Sequence, residues 1–302
     1  MVGPLLLYEL RVRLRGSTAY ALLTAIILAF GGFTLATYRA VVSGVHPLPV
    51  QVSAFGSGTA AVQPAQRLLI AERGPLFFLL MAVWAVVLMA FVIPASTSGC
   101  LARERERHTL ELLIGTPARP SAIVMAKLLG AVSYVLLVLA AAVPLFSVVV
   151  LFGGISLEQA FNVALILAIS TFAFGAVGVF FSAITENSLL ASVLTYTVVL
   201  GLGLGSYAAY LISLPLGAAL NLRDLLYLSP VAAMVSTLTQ ANSQLAELLM
   251  PYFREPGAHI LGAPLTGSAY PVWEITPIAY LAVGIIFTIA ASRAVDPLRR
   301  WL

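Results

Sequence analysis

Residues 76–119 read LFFLLMAVWAVVLMAFVIPASTSGCLARERERHTLELLIGTPAR. From Leu76 to Gly99 there is no Asp, Glu, Lys, Arg or His. Seven charged residues then crowd between Arg103 and Arg119, in a chain of 302 residues that holds only 16 Lys and Arg and 12 Asp and Glu. A helix rises about 1.5 Å per residue and the hydrocarbon core of a bilayer is about 30 Å thick, so about 20 such apolar residues cross it. An uncharged stretch of that length, followed at once by dense alternating charge, reads as a membrane span emerging into water.

The rest of the chain repeats the first half of this pattern. Composition is 61% hydrophobic and 9% charged, with a mean hydropathy of +1.02. So few charges cannot cover a water-soluble protein of this size, and so apolar a chain is not intrinsically disordered. Uncharged stretches run at about 18–38, 76–99, 128–151, 161–184, 189–212 and 275–292. The first is too long for a signal-peptide core and lacks a small-residue cleavage site, so it is expected to remain as a span. The reading is an all-α integral membrane protein, a single domain over 1–302 with six transmembrane helices. With both termini cytoplasmic, eleven of the 16 basic residues lie on that side, as the positive-inside rule prefers. The net charge of +4 and the pI near 9.4 are then a topology signal rather than a nucleic-acid footprint. The expected location is the plasma or inner membrane, crossed several times.

Residues 39–75 and 213–271 fall outside the membrane in this topology. The first is rich in Gly, Ser, Pro and Gln and suits a solvated loop, with at most a short surface helix near Ala65 to Glu72. Within the second, Leu225 to Leu238 is apolar but interrupted by Pro230, which points to short re-entrant or interfacial helices. Before the first span, Leu6, Leu7, Leu10 and Leu14 form a stripe beside Arg11 and Arg15, and residues 1–16 read as an interfacial helix.

Several chemistries are excluded. None of the six stretches carries an ionisable side chain, so a proton- or ion-coupled mechanism has no intramembrane group to work with. The only lysine, Lys127, follows Ala126 and precedes Leu128, so the phosphate-binding loop that needs Gly-Lys-Ser/Thr is missing and no nucleotide is expected to be hydrolysed here. Gly201-Leu202-Gly203-Leu204-Gly205 lies inside an apolar stretch and is no dinucleotide fingerprint. A single Cys100 and three scattered histidines offer neither a disulfide framework nor a metal site. No cofactor is expected in the chain and no enzymatic activity.

The small and polar residues of the spans carry structural expectations. Gly201 and Gly205, four apart, and the stripe Thr171, Gly175, Gly178, Ser182 are expected to let helices approach closely. Met81 and Met89 are expected in the core or against lipid. Ser192, Thr195, Tyr196, Thr197 and Ser206 either line a route or bond the carbonyls of their own helix.

In the charged segment, Glu104, Arg107, His108 and Glu111 share one face at 100° per residue, and Leu110, Leu113 and Ile114 share another. Gly115 and Pro117 then stop the helix, and Pro120 with Ser121 starts the next, past a Lys127 expected to snorkel to the surface. The expectation is a short amphipathic helix on the membrane surface within 101–119, joined by tight turns to two spans.

This arrangement resembles the membrane subunit of type-2 ATP-binding-cassette (ABC) exporters. The signature of that family in this loop runs approximately E-x-E-x-G-T-L-E-x-L-L-x-x-T-P, followed by Gly-Lys at the next span. Glu104, Glu106, Thr109, Leu110, Glu111, Leu113, Thr116, Pro117 and Lys127 match, while His108 and Ala126 stand where the family has glycine. The resemblance implies that the loop is a coupling helix. Glu104, Glu106, Arg107, Thr109, Leu110, Glu111, Leu113, Gly115, Thr116 and Pro117 would contact or shape a cleft in a separate ATPase subunit, where ATP and Mg would bind. It implies two ATPase subunits and a second permease copy or close relative as partners, in contact with membrane lipid and not with nucleic acid. The reading it displaces is an ATP-independent channel or facilitator, or a non-transporting membrane scaffold.

Overall fold

A computed structural model of the chain describes residues 11, 17–43, 62–108, 119–151, 155–213, 222–241 and 272–295. All regular elements among them are helical. They are α1 (Ser17–Ser43), α2 (Val62–Thr97), α3 (Ala102–Glu106), α4 (Pro120–Leu151), α5 (Leu157–Ile184) and α6 (Ser188–Leu200). A π-helical turn (Gly201–Gly205), α7 (Ser206–Ser213), a 3-10 turn (Leu222–Leu228), α8 (Pro230–Ala241) and α9 (Val272–Val295) follow. Five segments are long and apolar enough to cross a membrane: Gly74–Glu106, Pro120–Pro144, Leu157–Ile184, Ser188–Ser213 and Val272–Val295. α1 adds a shorter apolar helix over Thr24–Thr37. The protein is an all-α, multi-pass membrane protein.

α5 is the hub. In its most apolar window 67% of residues are buried inside the protein, against 22% for Ser188–Ser213 and for α9, which leaves those two with broad outward faces. α2, α4, α6, α8 and α9 all pack on α5. The expected stripe along α5 is where they meet. Thr171, Gly175, Gly178 and Ser182 are all buried, and a Cβ on Gly178 would collide with the Thr97 side chain of α2 while lying 3.3 Å from Thr195 of α6. A Cβ on Gly175 would stand 3.0 Å from Leu128 of α4. Small side chains here let three helices touch one, the usual source of membrane-helix cohesion when lipid is as apolar as the interface. Gly284 of α9 does the same from the other side, against Phe172. Met81 and Met89 are core residues, and each sulfur lies against a threonine hydroxyl, Thr34 at 3.2 Å and Thr171 at 3.3 Å.

The Gly201/Gly205 pair behaves differently from the sequence expectation. Residues 201–205 form a π turn, which inserts one extra residue per turn and rotates the faces of the helix. Gly203 is the buried glycine, with the ring of Phe174 3.2 Å from where its Cβ would be, while nothing lies within 4 Å of a Cβ on Gly201. The four-residue spacing therefore does not define one packing face.

Two extracytoplasmic expectations also change. The helix near Ala65 to Glu72 is the beginning of α2, continuous from Val62 through Pro75 and about 54 Å long in all. In the Leu225–Leu238 region, expected as short re-entrant or interfacial helices, Leu228 is exposed and the helix that follows is enclosed by the bundle. From Val231 to Thr239 every residue is buried, packed against α2, α5 and α9. The hydroxyls of Thr237 and Thr239 return to the carbonyls of Ala233 and Val235, so these buried polar side chains need no water. Residues 1–10 and 12–16 of the expected interfacial helix, and most of 39–61 and 242–271, lie outside the described residues.

Candidate functional site

The segment that follows α2 is tied to the bundle at four points. At Thr97 the helix ends in a turn, and the Ser98 and Ser192 hydroxyls pair at 2.9 Å, joining α2 to α6. The backbone N–H groups of Leu101 and Ala102 both donate to the buried Ser182 hydroxyl, at 2.8 and 3.0 Å. These are first-turn N–H groups of α3, which have no partner within their own helix, and Ser182 on α5 supplies the acceptor.

Arg105 and Glu106 then complete the ends of two other helices. The Arg105 guanidinium donates to the carbonyls of Thr185, at 2.9 Å, and Ala183, at 2.8 Å, at the C-terminus of α5. Those carbonyls carry the partial negative end of the helix and lack intrahelical donors, so a cation with two parallel N–H groups suits them. The Glu106 carboxylate does the converse at the N-terminus of α6. It accepts the Ser188 backbone N–H at 2.7 Å and the Ser188 hydroxyl at 3.1 Å. The Ser188 N–H lowers the pKa of Glu106 below the usual carboxylate value, helped by the Ser188 hydroxyl and by Arg103 and Arg107. Adjacent residues of opposite charge thus hold the tight α5–α6 turn from both sides, with Asn187 capping α6 through Leu189 N–H at 2.8 Å.

The fourth tie is an ion pair. Lys127 of α4 donates to Glu104 at 2.6 Å, and its side chain is only 6% exposed. The sequence expectation of a snorkelling lysine is therefore replaced by a buried cation, which persists at such a site because a carboxylate meets it.

α3 stops after Glu106. Arg107 forms the turn and His108 adopts φ 56°, a left-handed conformation that cannot continue a right-handed helix. A single helix from Arg103 to Ile114 is not what forms. Tertiary contacts accompany the stop: Arg105 and Glu106 commit their side chains to the ends of α5 and α6, and the chain turns at Arg107 and His108. Glycine takes the left-handed conformation without strain, and His108 is the one non-glycine residue among the described residues that adopts it. Thr109, Leu110, Glu111, Leu113, Gly115, Thr116 and Pro117 lie outside the described residues.

Of the singled-out residues that are described, Glu104 and Glu106 are engaged with the bundle and Arg107 is exposed. Sequence reasoning passed over Arg105 with its partners Ala183 and Thr185, and over Ser188 as the partner of Glu106. The signal available was the polar cluster Ser182, Thr185, Glu186, Asn187, Ser188 between two spans, a composition typical of helix ends. Along α6 and α7, Ser192, Thr195, Thr197 and Ser206 bond carbonyls of their own helix at 2.7 to 2.8 Å, and Tyr196 donates to the Phe91 carbonyl at 3.0 Å. Among the described residues no group of His, Cys, Asp and Glu is arranged to hold a metal ion.

A comparison with curated proteins finds no match to the chain. Against known families, residues 59–293 match the one described as ABC-2 family transporter protein, a stretch that runs from the start of α2 to within two residues of the end of α9 and includes the segment that Arg105 and Glu106 tie to the bundle. A match over so much of the chain, on a helical bundle built to lie in a membrane, shows that this protein belongs to the ABC-2 family of transporter membrane subunits.

Proposed function

We propose that the chain is the membrane-spanning permease of an ATP-binding-cassette exporter in the plasma membrane, driven by separate ATPase subunits that push on residues 103–117. In this reading α1 is the sixth span and both termini are cytoplasmic. ATP and Mg belong to the partner.

The observation that carries the proposal is the paired capping of α5 and α6 by Arg105 and Glu106. A solvated loop of alternating charges would leave these side chains without partners in the bundle, and each exposed ion pair would be worth only about 0 to 1 kcal/mol. Here they make the end of α2, α3 and the α5–α6 turn into one connected body, with Glu104 and Lys127 adding α4. A push applied beyond His108 is delivered to the cytoplasmic ends of four spans at once. The π turn at Gly201–Gly205, where the helical ladder is interrupted, divides the α6–α7 span into halves that can move separately. That is how motion of a partner outside the membrane would reach a pathway within it.

Co-expression with ATPase subunits encoded beside it, followed by extraction in mild detergent, is the direct test. The permease is expected to bring an ATPase with it. Glu111→Arg is expected to cut transport and transport-linked ATP hydrolysis by about tenfold or more while membrane insertion stays normal. Transport by the chain alone in liposomes, indifferent to that charge reversal, would favour an ATP-independent facilitator instead.

A further inference from the structure

At the end of the bundle opposite Arg105 and Glu106, α5 and α9 diverge around an open cavity of about 420 Å³. That volume lies within the usual range of ligand sites, about 300 to 1,000 Å³. Leu165, Ile166 and Ile169 of α5 and Ile278 and Leu281 of α9 form its walls. Ile278 is 69% exposed, so the cavity opens sideways toward the surroundings of the bundle rather than into its core.

One end is polar. Asn162, Trp273, Glu274 and Pro277 line it, and among the described residues no Lys, Arg or His does, while the Trp273 indole N–H is buried there with no acceptor. Glu274 is an exposed acid in the first turn of α9. Pro277 has no N–H, so the Trp273 carbonyl four residues earlier lacks its helical donor. The mouth therefore gathers a carboxylate, a backbone carbonyl and an amide oxygen, beside an indole ring whose face attracts cations. The carboxylate and the carbonyl call for a ligand that brings several N–H donors and a positive charge, and the unpartnered Trp273 indole N–H calls for an acceptor such as a phosphate oxygen beside it. The apolar walls call for a hydrocarbon chain attached to it.

We propose that this cavity binds a membrane phospholipid whose headgroup ends in a primary ammonium, phosphatidylethanolamine being the common case. The ammonium sits at Glu274, Asn162 and the Trp273 carbonyl, and an acyl chain runs along Leu165, Ile169, Ile278 and Leu281. Under the proposed topology both helix starts face the outer leaflet. The binding itself does not depend on that topology or on the transport reading.

The test uses the full chain, purified in detergent and titrated with phosphatidylethanolamine, phosphatidylcholine or phosphatidylglycerol, with bound lipid counted by native mass spectrometry and stability followed by thermal unfolding. Phosphatidylcholine carries the same charge but has no ammonium N–H, and phosphatidylglycerol lacks the cation. Phosphatidylethanolamine is expected to bind best and to raise the unfolding temperature most. Glu274→Gln is expected to erase that preference, weakening phosphatidylethanolamine about tenfold and the other two little. Glu274→Asp, which keeps the charge, is expected to retain it and so controls for misfolding. Equal binding of all three lipids by the unmodified chain, or an unchanged preference in Glu274→Gln, overturns the proposal.

Discussion

At the scale of single residues, the Glu104–Lys127 pair and the Glu106 cap behave differently because their surroundings differ. Lys127 is buried and meets the Glu104 carboxylate, so removing Glu104 takes a charge-assisted hydrogen bond from a desolvated cation. Lys127→Met or Glu104→Leu alone is expected to destabilise the protein by about 2 kcal/mol, and the double variant to recover much of that loss. A double-mutant cycle on unfolding in detergent checks it, and additive single losses would show that the pair is not coupled. Glu106 lies in water, and its contribution is read through pH. Its pKa is lowered in the folded state, so its stabilising effect is complete above the ordinary carboxylate range and is lost only as pH falls through the lowered value. Hydrogen exchange at the Ser188 amide is expected to stay slow from neutral pH down through the ordinary carboxylate range, and Glu106→Gln to exchange faster at all these pH values. Exchange that accelerates at the normal glutamate pKa would contradict the assigned hydrogen bond.

At the scale of elements, the glycines separate into those that hold helices together and those that do not. Gly178 sits where α2 and α6 both touch α5, and a side chain there has nowhere to go because Thr97 and Thr195 occupy the space. Gly178→Leu is expected to cost about 3 kcal/mol, at the upper end of the range for overpacking. Gly201→Ala meets open space and is expected to stay within about 0.5 kcal/mol of the parent. Thermal unfolding of the two variants in one detergent measures the contrast. The tie between the sunken 3-10 turn and the outer half of the bundle is of the same kind. The Tyr280 hydroxyl donates to the Leu228 carbonyl at 2.7 Å, with the Leu202 carbonyl of the π turn beside it at 3.3 Å. One side chain of α9 thus holds the Leu222–Leu228 turn against the π turn.

At the scale of the whole molecule, the second permease copy of the proposed function is expected to pack on the outward face of the α6–α7 span. Val193 and Ile212 are exposed there, as are the smaller Thr197 and Gly201 between them in sequence. Small residues let two membrane helices approach closely, and on this span they point away from the protein's own core. With Cys100→Ser as background, Thr197→Cys is expected to give a disulfide-linked dimer on mild oxidation in membranes. A variant that remains monomeric under conditions that preserve transport would place the second copy elsewhere.

The solvent of this protein was legible in residues 76–119 alone, because an uncharged 30 Å of helix has only one stable surrounding. The α5 stripe was equally legible, since Thr171, Gly175, Gly178 and Ser182 recur at the helical period and the helix is regular there. Gly201 and Gly205 misled because the π turn changed the period on which their spacing depended. The charged segment was legible as a place and not as a set of contacts. Charge order along the chain marks where water begins, but the partners of Arg105 and Glu106 lie about 80 residues away at the ends of α5 and α6. Unsatisfied N–H and C=O groups exist only once those helices have formed and docked, so tertiary structure alone decided that these charges hold the bundle together.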